Sequence, residues 1–454
     1  MSGTRDRGDV NRTVPRATPN SGPDAPESLD RAPAAPKTYI VPRRTAGMHL
    51  RPLPEEHRET YREFLNYAFR PENGPDWSDE RLPDPESYRP RGFYDAPPDA
   101  PVEDLDAADL RTVCAFYDFT ARVRGEWHPL PGISAVASPP EARRQGHVAA
   151  MLDALLAEFR DTGRYLSALW PFEYAFYRRF GWATASNYAK TTVPPDELGA
   201  VAADPAGEFV RLDADDWGRV KDVSAAAATE DLAVDRSEGW IRHRLFRGWD
   251  DDPFVYGWER DGDLRGYVVY DVTGDWESRT LSVDELVAAD AEARAHLFRF
   301  LRDHDSQVDE VVLSSEHESS RLIDDLTDPR AATVELKPGP MVRIVDVPAA
   351  LEAVSFPADA ACDLVLAVED GRCDWNDGPF SLIVADGAAS VESVGRDADP
   401  DATVEIGALS QLLVGARAVE ALARTDRLSV ADAEAADALA SAFTERDRYL
   451  REGF

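Results

Sequence analysis

The sequence predicts an α/β (α+β) protein, a tail followed by three folded units that each combine strands with helices. Three observations carry that reading. At 454 residues the chain exceeds one ordinary core and fits about three domains. Its clearest long pattern, over residues 132–170, is strand, tight turn, amphipathic helix, strand. Strand–helix order returns over residues 254–303, and strands followed by helices fill residues 364–442.

Residues 1–46 are rich in Arg, Asp, Pro and Ser and show almost no hydrophobic periodicity. Such a segment buries too little surface to offset its ordering entropy, so a disordered tail is expected. The first unit spans residues 47–195. It opens with a short strand at Met48-His49-Leu50-Arg51-Pro52 and a helix over 54–69. Pro, Asp and Glu dominate 71–108, which reads as a long surface loop with helical turns. Residues 110–123 (LRTVCAFYDFTARV) are apolar and β-rich and predict one or two strands, with another at 132–137. A helix follows over 141–162, where Val148, Met151, Leu152, Leu155, Leu156 and Phe159 make one apolar face. A buried strand over 165–170 and a short helix over 173–179 precede Gly181, a helix-ending glycine.

The second unit, 196–345, has strands at 254–259, 266–271 and 280–287 and a helix at 291–303. Its order leaves open that units one and two are diverged copies. The third, 346–454, has strands at 364–369, 380–385 and 389–393 and helices at 406–414, 416–423 and 431–442.

Charge narrows the setting. The chain carries 85 acidic and 50 basic residues, net -35, and only four of the basic residues are lysine. Self-repulsion of this size is relieved where concentrated salt screens it. The acidity is spread along the chain, so it reads as adaptation to a salt-rich cytoplasm rather than as one acidic interaction surface. Nucleic acid is disfavoured as a partner, for want of a basic field that releases counterions. The three cysteines, Cys114, Cys362 and Cys373, form no CxxC pair and read as reduced thiols. The eight histidines have no HExxH or paired spacing, so no metal is expected. There is no apolar run of about 18 residues and no signal peptide. A cytoplasmic protein without a membrane partner is expected.

The chemistry-bearing segment is GISAVASPPEARRQGHVAAMLDALL. Arg143-Arg144-Gln145-Gly146-His147 is placed at the first turn of the long helix, where unpaired N–H groups and the positive end of the helix dipole face outward. That is an anion site suited to a pyrophosphate. Gly146 lets a phosphate approach the backbone, and the two arginines add charge. Taken alone, the string also fits an ordinary helix start with solvated arginines.

SAVASPPEARRQGHVAAML followed by LSALWPFEYAFYRRFGWATAS resembles the Eis family of GCN5-related acetyltransferases. KPGPMVRIVDVPAALEAVSFP, CDWNDGPFSLIV and IGALSQLLVGARAVEALARTDRL resemble segments leading into and inside that family's C-terminal sterol-carrier-like domain. The resemblance covers about residues 48–454 and implies two tandem acetyltransferase folds followed by a sterol-carrier-like α+β domain. It implies acetyl-CoA as co-substrate and a primary amine as acceptor, either a small polyamine-like or aminoglycoside-like molecule or a lysine side chain. It also implies a homo-oligomer, trimer or hexamer.

Carried over by position, Val136 and Ser138 pair their backbone with the pantetheine arm. Arg143, Arg144, Gly146 and His147 form the pyrophosphate loop. Tyr177 matches the general acid, and the α-carboxylate of Phe454 the general base. Ser138 stands where Val is usual, and Phe172 where the family often has Ser. From spacing alone Tyr177 reads as a core aromatic, and Tyr174 is the alternative acid. Glu173 and Glu452 fit either amine binding or ordinary ion pairing. The second unit reads AADAEARAH where a phosphate loop would stand, with no Gly and with Asp290 and Glu292 to repel phosphate. The rival class is a non-catalytic acyl-CoA or lipid-binding module.

Overall fold

Residues 47–74, 86–248, 251–275 and 278–454 are described by the computed structural model. The tail expected over 1–46, and residues 75–85 of the expected loop, lie outside them. The first sheet begins with an antiparallel ladder of β1 (Met48–Pro52), β2 (Tyr88–Asp95), β3 (Leu110–Val123) and β4 (Glu126–Ala137). β2 falls where a loop was expected. Its register shifts between Phe93 and Tyr94, so Gly92, Phe93 and Tyr94 are buried in succession and the period of two is lost.

Helix α1 (Arg58–Phe69) and helix α2 (His147–Asp161) belong to this unit. On α2, Met151, Leu152, Leu155, Leu156 and Phe159 are all 0% exposed. Each contributes about 1.5–3 kcal/mol by leaving water. The helix starts later than the expected 141. Pro140–Ala142 is a single 3-10 turn, and Arg144 (φ 58°) and Gly146 (φ 87°) are left-handed, which breaks helical continuity before His147. The arginine segment is therefore a loop in front of the helix rather than its first turn.

β5 (Leu166–Leu169) and helix α3 (Tyr174–Arg178) follow. The sheet is then completed from far along the chain: the strand Met341–Ile344 lies between β5 and Ala183–Thr184. In return, Asn187–Val193 enters the second sheet, between Thr333–Pro338 and Glu310–His317. The linear boundaries expected near 195 and 345 thus do not coincide with the sheets, because each sheet takes a strand from the other's expected segment.

The rest of the second sheet is Glu208–Arg211, Phe254–Arg260, Asp263–Asp275 and Ser278–Ala288, with the helix Ala291–Arg302 following. The third unit is a five-stranded sheet whose helix Ile406–Leu413 is buried along its whole length. That helix docks on the exchanged strand. Ser410 Oγ accepts from Ile344 N at 2.8 Å, and Gln411 Nε2 donates to Thr184 O at 2.7 Å. Arg343, fully buried in the exchanged strand, pairs with Asp370 of the third unit at 2.7 Å. Among the described residues no helix is long and apolar enough to cross a membrane.

Candidate active site

The site starts from an irregularity in β4. Its pairing with β3 runs Val113↔Ala137 and then Ala115↔Ser134, so Ala135 and Val136 together oppose Cys114. Ala135 takes φ 54°, and the result is a bulge. On the other side β4 pairs with β5 only at Gly132↔Ala168 and Ile133↔Leu169. Past that point the two parallel strands separate, and the half-buried backbone of residues 134–136 keeps a free edge. A free strand edge is where an extended amide-bearing ligand can add hydrogen bonds.

This edge lines a cavity of about 860 Å³ between the two acetyltransferase-like units. Val136, Tyr177 and Phe454 all line it, together with the exposed ring of Phe172. Ser138, Arg143, Arg144, Gly146 and His147 do not line it; they lie beyond the end of β4, in the loop that leads to α2. Ser138 turns its hydroxyl inward to Thr112 at 2.7 Å, and its carbonyl accepts from Arg143 Nε at 3.1 Å. Arg143 also lies over the Tyr67 ring, 5.1 Å from its centroid. It therefore braces the loop, while Arg144 is exposed beside it. His147 is buried, and burial, then Arg111, holds its imidazole below the ordinary value. His147 is the first residue of α2, so its backbone N–H has no acceptor within the helix.

Helix α3 delivers Tyr177. Glu173 caps it, accepting from Ala175 N at 3.1 Å, which accounts for that carboxylate. The Tyr177 ring packs against Phe172 (5.6 Å), Phe176 (5.1 Å) and Trp182 (6.2 Å) and is 3% exposed. Burial, then the neighbouring Cys114, pushes its phenol well above the usual range, so the hydroxyl stays protonated. Tyr174, the alternative acid, is already committed: its hydroxyl donates to Pro338 O (2.6 Å) and Gly339 O (2.8 Å), and it does not line the cavity. The cysteines are all free and buried, and burial pushes the Cys114 thiol up to about 12.

The segment ending at Phe454 is threaded between the units. Asp231 accepts from Arg446 at 2.8 Å and exchanges backbone bonds with Asp447 and Tyr449. Buried Arg236 holds Glu452 at 2.7 Å and Glu285 at 2.7 Å. Trp170 Nε1 donates to Glu452 O, and Arg244 to Gly453 O, both at 2.6 Å. The Phe454 ring then lies against Phe119 (5.2 Å) and over Gly132, where a Cβ would come within 2.6 Å of it. Gly132, Trp170 and Arg236 were not singled out in the sequence. A glycine inside a strand pattern signals close approach, whereas Arg236 carried no local signal.

Among its described residues the second unit offers no comparable loop. Asp290 caps its helix with its own side chain, accepting from Ala293 N at 2.8 Å, and Arg265 pairs with it. Those interactions hold its carboxyl below the usual range and place a negative charge where a phosphate would need to approach.

Comparison with known proteins agrees with this architecture. The family described as Acetyltransferase (GNAT) domain matches residues 49–185, and a second family of the same description matches 232–344. The family described as Sterol carrier protein domain matches 347–451. An uncharacterized N-acetyltransferase of Streptomyces avermitilis is 30% identical over 56% of this chain and 64% of its own length. The N-acetyltransferase Eis of Mycobacterium bovis is 30% identical over 69% of this chain and 78% of its own length. Among solved structures, a probable N-acyltransferase of Enterococcus faecalis has TM-score 0.76 at 24% identity, covering 90% of this chain and 99% of its own. Eis1 of Mycobacterium abscessus has TM-score 0.69 at 24% identity, covering 90% and 100%. These two likenesses speak for the fold. With its two acetyltransferase domains, its sterol carrier domain and its relation to Eis, the chain belongs to the Eis-like family of GCN5-related N-acetyltransferases.

Proposed function

We propose that this protein transfers an acetyl group from acetyl-CoA to a primary amine, in the cavity that Val136, Tyr177 and Phe454 share. The observation that carries the reading is the bulged, splayed end of β4, with an anion-ready loop beyond it and a protonated tyrosine beside it. Acetyl-CoA supplies an acetyl thioester. The residues fit it: the free edge at 134–136 suits the pantetheine amides, and Gly146 with the first α2 amides suits the pyrophosphate. Arg144 adds exposed charge, and Arg143 supports the loop.

The Phe454 carboxylate takes the amine proton. An ordinary α-carboxyl has a pKa of about 3.3–3.7, too weak a base for a free ammonium. The acceptor therefore attacks as the neutral amine, supplied by its own proton equilibrium with water. Once the nitrogen bonds to the carbonyl carbon its protons are far more acidic, and a fixed carboxylate suffices to take one. As the C–S bond breaks, the Tyr177 hydroxyl donates to the departing sulfur. Its raised pKa keeps the proton on oxygen, so the hydroxyl stabilises the departing thiolate by a hydrogen bond rather than by full proton transfer. The third unit delivers the terminus, which Trp170, Arg236 and Arg244 of the first two units hold. A CoA-release assay in high salt against a panel of amines tests the reading, and absence of release with every amine would overturn it.

Two further results are expected. Gly146→Asp adds a Cβ at a left-handed position and a charge facing the phosphates. Asn and Asp both tolerate that backbone, so Gly146→Asn isolates the charge. Calorimetry is expected to show acetyl-CoA binding to the Asp variant weaker than to the Asn variant by about 2 kcal/mol, roughly 30-fold, after screening. Equal affinities would remove the loop from the site.

The second concerns pH. The cavity wall facing the second sheet carries Asp271, Asp284 and Glu285. Burial works against charge at Glu285, but Arg236 overcomes it and holds that carboxyl below its usual value. Asp284 is pushed up to about 6 by burial, then by Asp271 and Glu285. It is therefore charged above pH 6 and neutral below. KM for a dicationic acceptor is expected to rise severalfold as pH falls from 7.5 to 5.5, and Asp284→Asn should show the high KM throughout. A variant whose profile follows the parent's would separate Asp284 from amine binding.

A further inference from the structure

The cavity inverts the charge bias of the chain. Across the sequence acidic residues outnumber basic ones 85 to 50, yet the cavity is lined by seven arginines against four acidic side chains and the terminal residue Phe454. Several of these arginines are engaged. Arg236 is held by Glu285 and Glu452, Arg451 pairs with Glu230, and Arg58 pairs with Glu55. Arg62, Arg244 and Arg247 have no carboxylate partner among the described residues. The Nε of Arg62 is buried with no hydrogen-bond partner. Arg244 spends one donor on Gly453 O and lies 5.2 Å from the centre of the Trp240 ring. Arg247 is exposed.

Arg62 and Arg244 stand at the two ends of one aromatic wall. The hydroxyls of Tyr61 and Tyr88 are hydrogen-bonded to each other. The Tyr88 ring lies 5.0 Å from Tyr117, and Tyr117 lies 5.2 Å from Trp240, beneath Arg244. Arg62 follows Tyr61 on α1, so the wall begins beside one uncompensated guanidinium and ends under another. The carboxylates stand elsewhere, Asp271, Asp284 and Glu285 on the second sheet and Glu452 with the Phe454 α-carboxylate at the terminus. A cavity built this way is dipolar. An acceptor that is only a cation satisfies one side and leaves guanidinium charge without an anion on the other, which is costly where water is partly excluded.

We propose that the acceptor is zwitterionic: besides its amine it carries an anionic group, a carboxylate or a phosphate, which Arg62, Arg244 and Arg247 bind. Guanidinium forks match both anions, and Arg244 already lies over the wall at Trp240. This rests on the acetyl-transfer reading and narrows its substrate class.

The test uses the full-length protein and matched probes: lysine against cadaverine, and O-phosphoethanolamine against ethanolamine. Direct calorimetric binding is measured first, so the result does not depend on turnover. The parent is expected to bind at least one anion-bearing member ten or more times more tightly than its partner. The preferred pair identifies the anion as carboxylate or phosphate. In Arg62→Gln/Arg247→Gln that preference is expected to collapse towards unity, with acetyl-CoA affinity as in the parent. Cadaverine and ethanolamine binding as tightly as their partners would overturn the proposal. So would an equal loss of acetyl-CoA affinity in the double variant, because the arginines would then serve the CoA phosphates. CoA release is measured separately. Zwitterion binding without release with any amine would sink the acetyl-transfer reading while the anion site stands.

Discussion

Extending the chain by three residues beyond Phe454 is expected to lower acetyl transfer by roughly 10²–10⁴, the range for a positioned base, while acetyl-CoA binding and the melting temperature stay as in the parent. The extension converts the Phe454 carboxylate to a neutral amide and carries the new charge away from the cavity. The Phe454 ring keeps its seat on Gly132 and Phe119, and Trp170, Arg236 and Arg244 keep their hold on Glu452 and Gly453. No core volume is deleted, so the fold should not register the change. Steady-state kinetics beside a thermal melt decide the matter. Full activity in the extended protein would remove the carboxylate from the mechanism, and Glu452, the other carboxylate at this end of the chain, would become the candidate base.

Tyr177→Phe is expected to lower kcat by roughly 10²–10³, the loss typical of one preorganised donor. The ring contacts with Phe172, Phe176 and Trp182 remain, so packing changes little. KM for acetyl-CoA is expected to hold, because the hydroxyl matters most when charge has gathered on the sulfur. The loss should shrink with acetyl donors whose leaving thiol is more acidic, since such thiolates need less stabilisation. A kcat within threefold of the parent, on thiols of any acidity, would leave Tyr177 as a core aromatic.

What the sequence disclosed depended on how locally each feature is written. The long helix α2 was legible from Met151 to Phe159, because five apolar residues at helical spacing leave one reading. Its start was misplaced because Arg144 and Gly146 adopt left-handed backbone, and no hydrophobic period records that. β2 was hidden by its register shift, which buries three residues in a row. The choice between Tyr174 and Tyr177 was undecidable from spacing, since both aromatics stand on one short helix. What distinguishes them is that the Tyr174 hydroxyl is engaged by Pro338 and Gly339, far along the chain. Arg236 acquires its role only when Glu285 and Glu452 meet around it, 49 and 216 residues away. The exchange of strands was beyond reach for a related reason. A four-residue segment such as Met341–Ile344, three apolar residues and one arginine, is too short to declare in which sheet it will lie.

That exchange has a consequence for how the protein is made. β5 leaves the ribosome early and has β4 on one side, yet the strand that covers its other edge is translated only after most of the second unit has emerged. At ordinary elongation rates the delay is on the order of ten seconds. Throughout that interval β5 presents an open edge to whatever strand is nearby, including the same edge on a neighbouring nascent chain. Newly made protein thus passes through a window of vulnerability set by translation speed, and chaperones that shield sheet edges will matter most for this chain while it is still being synthesised.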